Sequence, residues 1–357
     1  MSMVIKMIAF TFFSCCTIYL LVWISLKEIL PLLNIEFTLF WYLFPFILTL
    51  ILILIVYIGH KINEVIYSYC YIFVFTIFGH FVNSFTCSLT LTIIKLFTKK
   101  IPNQFSIFLI IILPIIMTIY GLINARNIII DRVTIHNPKL KGPKRTICHL
   151  SDMHLGAVYQ REFVQKIVRK IKELKPDIVV ITGDMGDGSL TVKSNWLSPF
   201  DTLSMPILYI TGNHEQMNGK ELMIAEVNET SIKYIGNDIY DFDNLIFVGV
   251  DYEYNLKKRL NEITPHNEDK LNILLCHVPQ LKPKDLKDYD IFLFLAGHTH
   301  GGQIFPFHPF VILANACFNG LYEEDGCYVY VSPGVGSWGP PMRIGSHSTI
   351  AMITIEQ

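Results

Sequence analysis

The sequence predicts two parts of different fold class: an N-terminal multi-span α-helical membrane region over residues 1–126 and an α/β domain over residues 127–357. Apolar residues make up 52% of the chain and charged residues only 17%, and most of the apolar excess lies before about Asn124. After that point, short apolar runs alternate with polar motifs and a helical pattern. Such alternation is typical of α/β domains.

Four apolar stretches are long enough to cross a bilayer, which takes roughly 20 helical residues. They run over Met7–Ser25, Thr38–Ile58, Val65–Ile94 and Phe105–Leu122. A cleaved signal peptide followed by core helices is the alternative, but the first stretch has no small-residue cleavage site and three more stretches follow it. The sequence therefore predicts a multi-pass protein of the cell membrane with about four transmembrane helices.

The third stretch is longer than one span requires and contains Gly79, His80 and Asn83. These features predict a helix that is tilted, kinked or partly re-entrant. The stretch holds no carboxylate to pair with the histidine, so we expect the two polar residues to form a helix–helix contact rather than a functional site.

Orientation is encoded weakly, because equal numbers of basic residues flank the two sides of the predicted spans. Lys139, Lys141, Lys144 and Arg145 tip the count, and the positive-inside rule then places the α/β domain in the cytoplasm. The net charge of −1 gives no sign of a nucleic-acid partner. The expected partner is the lipid bilayer, and no protein partner can be inferred.

The α/β domain begins with a predicted edge strand at Asn127–Ile135 and a Pro/Gly/Lys connector at His136–Lys144. A helix is predicted over Arg161–Leu174, because apolar residues recur there at helical spacing and a proline follows. Short apolar runs predict seven buried strands. These runs are Thr146–Leu150, Asp177–Thr182, Ile207–Thr211, Asn272–Cys276, Ile291–Ala296, Cys327–Ser332 and Thr349–Ile355.

Polar side chains follow five of these strands directly, at the edge of a sheet where ligands gather in α/β domains. The motifs are Asp152-x-His154, Gly183-Asp184-x-x-Asp187, Gly212-Asn213-His214-Glu215, a lone His277 and Gly297-His298-x-His300. Carboxylate, amide and imidazole ligands without thiolate suit Mn, Fe, Zn or Co. Two such metals can hold a hydroxide between them and clamp the attacking and leaving oxygens of a phosphoryl group.

Several other residues carry two interpretations each. His149 lies within a predicted strand and is expected to be packed rather than a ligand. Asp251 either supports the loop that follows it or caps a turn. The glycine-rich segment Ser332–Gly339 either lines the site or is a tight connection, and Arg343 either meets a phosphate oxygen or lies on the surface.

The five motifs, in this order and each behind a strand, resemble the calcineurin-like metallophosphoesterases over roughly Thr146 to Ile355. The resemblance implies an α/β sandwich of two packed β-sheets flanked by helices. It also implies two divalent metal ions, whose identity as Mn, Fe or Zn is open. The string Gly297–Gln303, together with the membrane region, is similar to the membrane-anchored branch called transmembrane protein with metallophosphoesterase domain.

Carried over residue by residue, the resemblance implies a role for each polar side chain. One metal is bound by Asp152, His154 and His300, and Asp184 bridges the two metals. The second metal is bound by Asn213, His277 and His298. The remaining residues act around the metals: His214 as the catalytic group beside the leaving group, and Asp187 and Glu215 as groups that orient the ligands.

The expected function is hydrolysis of a phosphoester or pyrophosphate bond by a metal-bridging hydroxide. A lipid-linked substrate of the UDP-2,3-diacylglucosamine type is one candidate, since the membrane region would hold the site near lipid headgroups. Two alternatives remain open at this point. One is a tethered phosphodiesterase for a soluble, cyclic nucleotide, and the other is a metal-binding interaction scaffold without catalysis.

Overall fold

The computed structural model describes residue 20 and residues 22–357, apart from residues 37, 99, 139, 253–255 and 266–268. The chain divides into two compact units. The helical unit comprises the described residues up to Ile123 together with the segment Gly339–Ile344. The α/β unit comprises Asn124–Trp338 and Gly345–Gln357. The return of Gly339–Ile344 to the helical unit has no counterpart in the sequence-based division at residue 126.

The helical unit contains three helices long and apolar enough to cross a membrane: α1 (Leu39–Ile62), α2 (Glu64–Phe97) and α3 (Asn103–Arg126). They correspond to the second, third and fourth predicted spans. The first predicted span, Met7–Ser25, lies mostly outside the described residues, and residues 22–32 are helical. One π-helical turn, Phe108–Ile112, interrupts α3.

Helix α2 is continuous over 34 residues, so the partly re-entrant turn, one of the three forms considered for this stretch, is not found there. Gly79 instead makes room for another segment, because a Cβ atom at this position would lie 2.5 Å from Met342 Cε. Nδ1 of His80 lies 3.0 Å from Thr118 Oγ1, and the Asn83 amide donates to the same hydroxyl at 3.1 Å. The polar residues of α2 thus form a contact with α3, as expected.

The α/β unit contains twelve strands among the described residues. They are β1 (Ile128–His136), β2 (Arg145–Leu150), β3 (Ile178–Thr182), β4 (Ile207–Ile210), β5 (Ile232–Tyr234), β6 (Asp238–Phe242), β7 (Leu245–Val250), β8 (Leu271–Cys276), β9 (Leu293–Ala296), β10 (Gly320–Glu324), β11 (Cys327–Val331) and β12 (Ser348–Glu356). Its helices after α3 are α4 (Arg161–Leu174), α5 (Ser194–Leu197), α6 (Asn213–Asn218), α7 (Lys220–Asn228), α8 (Leu256–Ile263) and α9 (His308–Ala314).

The strands form two six-stranded sheets. The order is β1-β12-β2-β3-β4-β5 in the first and β10-β11-β9-β8-β7-β6 in the second. Strands β2 to β5 pair in parallel, as do β7, β8 and β9. Because parallel strands of one sheet end at the same edge, the loops after β2, β3 and β4 lie side by side, as do those after β8 and β9.

Buried side chains arrange the unit in four layers. Both sheets contribute to the central core, with Ile147 and Val180 from the first and Phe247 and Leu295 from the second. Helix α4 packs on the outer face of the first sheet, and α8 packs on that of the second. Both faces of each sheet are therefore covered, which explains the uninterrupted apolar runs of the central strands. The predicted sandwich of two packed sheets flanked by helices is confirmed.

Candidate metal centre

The polar motifs after the five parallel strands are brought together at one end of the sandwich. Five of the predicted ligands have a left-handed backbone, with φ values between +47° and +72°: Asp152, His154, Asp184, His298 and His300. This conformation is uncommon in non-glycine residues and typically occurs where a site requires it. The loops also bind each other, since Asp152 N donates to Gly183 O and His154 N donates to Asp184 O. The backbone thus holds the side chains in place before any ligand binds.

Asp152, His154 and His300 form the first group of candidate ligands. The Nε2 atoms of the two histidines lie 3.0 Å apart. Asp152 Oδ1 is 3.3 Å from His300 Nε2 and 3.8 Å from His154 Nε2. The aspartate is held from behind by His298 N, which donates to both of its oxygens.

Asp184 lies between this group and a second one. Its Oδ2 atom is 3.8 Å from His154 Nε2 and 3.1 Å from His277 Nε2. The rings of His277 and His298 are 5.2 Å apart, and His298 Nδ1 is 2.9 Å from Asn213 Oδ1. All seven predicted ligands therefore converge, with the Asp184 carboxylate at the middle.

The arrangement of these side chains suits the binding of divalent cations, because so many metal-binding groups are buried together. His154 and Asp184 are almost completely buried, and His277 is fully so. The His277 Nδ1 atom faces Thr182 O at 2.8 Å, which directs Nε2 towards the Asp184 carboxylate. Oxygen and nitrogen atoms that can each offer a lone pair to a metal ion thus face a common centre. Positive charge there is needed to balance them.

The charges in the cluster are strongly coupled. Burial acts to lower the pKa of His277, but the Asp184 carboxylate beside it outweighs burial and raises that pKa to about 10. Burial, followed by the charge of His300, holds the pKa of His154 well below its ordinary value. The Asp184 carboxylate thus favours positive charge beside it, which a bound metal ion would supply.

His214, predicted as the catalytic group, lies at the edge of the cluster. Its Nδ1 atom is 3.2 Å from Asp187 O, and its Nε2 atom is 4.0 Å from Asp184 Oδ2. The ring meets that of His154 edge-on, with the centroids 4.8 Å apart. The side chain is mostly buried, and its Nε2 atom faces the cluster.

The two residues predicted to orient the ligands contact different partners. Glu215 accepts hydrogen bonds from the backbone amides of Asp184, Gly186 and Gly212, and so connects two of the ligand loops. Asp187 contributes its carbonyl oxygen to His214, while its carboxylate accepts from Ser189. Burial raises the pKa of the Asp187 carboxyl to about 6.

The sequence did not indicate a pair of residues, Gln303 and Trp338, at the exposed edge of the centre beside His214, which we call the rim. The Gln303 side-chain amide donates to Trp338 O and accepts from Trp338 N, each at 2.9 Å. The indole then lies edge-on to His214, with ring centroids 5.8 Å apart and 48% of the tryptophan exposed. Gln303 closes the Gly-His-Thr-His-Gly-Gly-Gln string, which was the available signal, but its partner is distant in the chain.

The open interpretations are now resolved for the remaining residues. His149 is fully buried against Thr182 Oγ1 at 2.8 Å, so it is packed as expected. Asp251 accepts from Thr211 N at 3.0 Å, so it supports the earlier loop that carries Asn213 rather than the loop that follows it. Gly336 N donates to Asp152 O, which places the glycine-rich segment against the centre. Arg343 belongs to the helical unit and is fully buried, so the expected surface role is wrong.

Comparison with known proteins places the centre inside a described family. Residues 145–302 match the family Calcineurin-like phosphoesterase, and this range includes all the predicted site residues. An uncharacterized metallophosphoesterase of Aquifex aeolicus is 32% identical over 246 residues, which cover 64% of this chain and 91% of that protein. A transmembrane protein with metallophosphoesterase domain from Bos taurus is 30% identical over 272 residues, covering 68% of this chain and 60% of that one.

Other relatives match over a smaller share of their length. An uncharacterized metallophosphoesterase of Helicobacter pylori is 34% identical over 216 residues, covering 58% of each chain. The chain spans between 48% and 60% of the length of several such relatives. Among solved structures, a dimetal phosphatase of Danio rerio is 13% identical with a TM-score of 0.33, covering 53% of this chain and 87% of that one.

Proposed function

Because this chain belongs to the calcineurin-like metallophosphoesterases, we propose that it is a membrane-associated hydrolase of phosphoester or phosphoric anhydride bonds. The observation that carries the proposal is the convergence of seven oxygen and nitrogen ligands, six of them around Asp184. Members of the family use two divalent metal ions, and the candidate ligand groups are consistent with that number.

The proposed division of ligands follows the two groups on either side of Asp184. Asp152, His154 and His300 would hold one metal. Asp184 would bridge to the other, which Asn213, His277 and His298 would hold. This division is supported by the short distances within each group, and by the position of the Asp184 Oδ2 atom within 4 Å of histidines from both. The donor set suits Mn, Fe or Zn.

When bound, two such ions supply an activated water and positive charge for an in-line displacement at phosphorus. The protein's own groups then have separate tasks. The buried carboxylates and imidazoles fix the geometry, and Glu215 ties the loops that carry them. His214, fixed by the Asp187 carbonyl, is placed to stabilise or protonate the leaving group.

We further propose that the substrate is lipid-linked, with a pyrophosphate of the UDP-2,3-diacylglucosamine type as the first candidate. The three candidate membrane spans support this choice, because they keep the site close to lipid headgroups. The proposed location is a multi-pass protein of the cell membrane with the α/β unit in the cytoplasm. The basic residues Arg126, Arg169 and Lys170, near the end of α3, favour that side.

The first test of the site is the variant Asp184→Asn in the purified full chain. It keeps the size of the side chain but removes the charge shared by both groups of ligands. We expect the hydrolysis of a chromogenic phosphodiester with Mn²⁺ to fall by a factor of about 100 or more, and bound metal to decrease. The control is Asp325→Asn on an exposed turn, which should keep both. Normal activity of the Asp184 variant would reject the proposed site.

Activity should then be compared on two substrate panels. Preference for lipid-linked pyrophosphates over soluble and cyclic nucleotides supports the lipid-linked proposal, and the reverse preference rejects it. Two bound metals without turnover of any phosphoester would instead indicate a scaffold.

A further inference from the structure

An apolar segment is exposed directly after the candidate metal centre. It comprises residues 305–313, which include most of α9, a helix with no buried residue. Its large apolar side chains are exposed to between 43% and 86%: Phe305, Phe307, Phe310, Ile312 and Leu313. The segment carries no Asp, Glu, Lys or Arg. A contiguous apolar surface of this kind marks an interaction site, because water-facing helices normally present polar residues.

The places where the α/β unit joins the helical unit lie close to this segment. The chain passes between the units after Ile123, after Trp338 and after Ile344. Within the α/β unit, Asn124 donates to Ser346 O at 2.8 Å, and the Ser346 hydroxyl donates to Gln303 O at 3.2 Å.

Gly345 lies against the start of α9, since a Cβ atom there would be 2.8 Å from His308 Nε2. Gln303 also holds the backbone of Trp338. All three attachment points and the apolar segment thus belong to one end of the α/β unit.

A cluster of cations lies at the same end. The basic cluster comprises Arg126, Lys166, Arg169 and Lys170, and Lys166 donates to Arg126 O. Partial burial and then the neighbouring cations of the cluster lower the pKa of Lys166. The cluster adjoins an attachment point, because Arg126 comes three residues after Ile123. The neighbouring Ala125 O accepts from Ser348 Oγ at 2.8 Å, which connects the cluster to the chain after Ile344. Positive charges and an exposed apolar surface at the same end of a unit are the combination that binds anionic bilayers.

We propose that the α/β unit docks on an anionic bilayer surface, with the apolar segment 305–313 inserted among the lipid headgroups and the basic cluster facing anionic lipid. The bilayer is the occupant that the observations favour. The chain carries candidate spans, so lipid is always within reach, and no long linker separates them from the α/β unit: α3 ends at Arg126 and β1 begins at Ile128. Docking would place the metal centre near the lipid headgroups, because only a short loop separates His300 and Gln303 from α9.

The test places a reporter on the segment in the full-length protein. Leu313, 86% exposed, is changed to Trp, and the control is Glu324→Trp on the exposed strand β10. Both variants are reconstituted into vesicles of phosphatidylcholine and phosphatidylglycerol, with acyl chains either plain or brominated near the headgroup. The four native tryptophans give a common background that is subtracted. We expect brominated lipid to cause a loss of the emission added at position 313 and to leave that at position 324 unchanged.

A second variant tests the charge. Replacing Arg169 and Lys170 by Gln should weaken the quenching at position 313 in vesicles with phosphatidylglycerol, and should have no effect in pure phosphatidylcholine. Equal quenching at both positions, or none at either, overturns the proposal. Emission at position 313 that is blue-shifted but not quenched also overturns it, because the segment would then be covered by protein: the first apolar stretch of this chain or a second copy. The readout needs no catalysis, so it stands or fails independently of the proposed function.

Discussion

His149 shows how a buried residue outside the ligand set affects stability. It is fully buried in β2, where its Nε2 atom contacts the Thr182 hydroxyl. Burial lowers the pKa of its imidazole from 6.5 to about 3. The folded protein therefore keeps His149 neutral at pH values where the unfolded chain binds a proton. The contribution of His149 to the free energy of unfolding is constant above pH 6.5, the pKa of the imidazole in the unfolded chain. It is lost progressively as the pH falls from 6.5 towards about 3, the pKa in the folded protein.

The first prediction concerns this pH dependence. Each pH unit below 6.5 should lower the free energy of unfolding by about 1.4 kcal/mol through His149, or about 2 kcal/mol near pH 5. His149→Gln removes the titration while offering an amide to Thr182. We expect the variant to be less stable at neutral pH but to lose less stability on acidification. Thermal unfolding of the purified chain at several pH values measures the difference.

The exposed His136 serves as the control for a His-to-Gln replacement, since His136→Gln should keep the stability of the parent protein at neutral pH. Identical pH dependence in parent and His149→Gln would show that this histidine does not contribute.

Individual site residues could be predicted where the chemistry lies in the residue type itself. Asp152, Asp184 and His300 each follow a recognisable strand and offer a metal-binding atom. Trp338 could not be found in this way. An exposed tryptophan after a glycine-rich segment has many interpretations, and only the fold brings its ring next to His214.

At the level of elements, one side chain fixes Trp338 in the loop that follows β11. Gln303, in the ligand loop after β9, makes two hydrogen bonds to the backbone of Trp338 and so connects the two loops. Gln303 has a φ of +43°, a conformation that must be maintained by its surroundings. The position of the indole beside the centre thus rests on a short polar contact.

The second prediction follows from this contact. In Gln303→Ala both hydrogen bonds are lost, and each is worth about 1 kcal/mol. We expect kcat/KM on the best phosphoester substrate to fall by roughly tenfold, mainly through KM, because Trp338 no longer holds a fixed place at the rim.

Bound metal should remain at the parent level, which separates this effect from damage to the ligands. Gln303→Glu retains one acceptor and should give an intermediate value. A fall in metal content equal to the fall in activity would contradict a role limited to the rim.

Most strands buried on both faces were predicted, and so was the edge strand β1, but the other partly exposed edge strands were not. The runs that became β3 and β9 are largely continuous and apolar, because the sandwich covers both faces. The apolar, buried run Leu245–Val250, which forms β7, was not assigned as a strand. Strands β5, β6 and β10 were also missed. They are short or polar and lie at or near sheet edges, where a run such as Asp238–Phe242 has no distinct pattern.

On the scale of the whole molecule, one segment late in the chain returns to the helical unit. Residues 339–344 pack within the helical unit although the chain on either side belongs to the α/β unit. The helices leave room for it at two glycines, since a Cβ atom at Gly121 would lie 3.1 Å from both Met342 and Ile344. Arg343 N donates to Gly121 O at 3.0 Å. The sequence could not predict this return, because the segment is short and its destination is about 220 to 260 residues away in the chain.

The third prediction tests this segment from its binding site. Gly79→Leu places a side chain where Met342 and Pro340 lie 2.5 Å and 3.1 Å from a Cβ atom. We expect the segment to be displaced and the helical unit to lose about 1–3 kcal/mol, as in other overpacked sites. Displacement exposes the peptide bond after Arg343, which is fully buried in the parent protein. Trypsin should therefore cleave there in the variant, and mass spectrometry of the fragments identifies the position.

The matched control adds bulk to the same helix at an exposed site. Leu89→Phe, at a position that is 42% exposed, should leave both the melting temperature and the resistance to trypsin unchanged. Because the segment continues directly into Trp338, its displacement should also lower phosphoesterase activity at unchanged metal content. Resistance to trypsin after Arg343 in a folded, destabilised Gly79→Leu protein would mean that the segment is held by contacts other than those with α2.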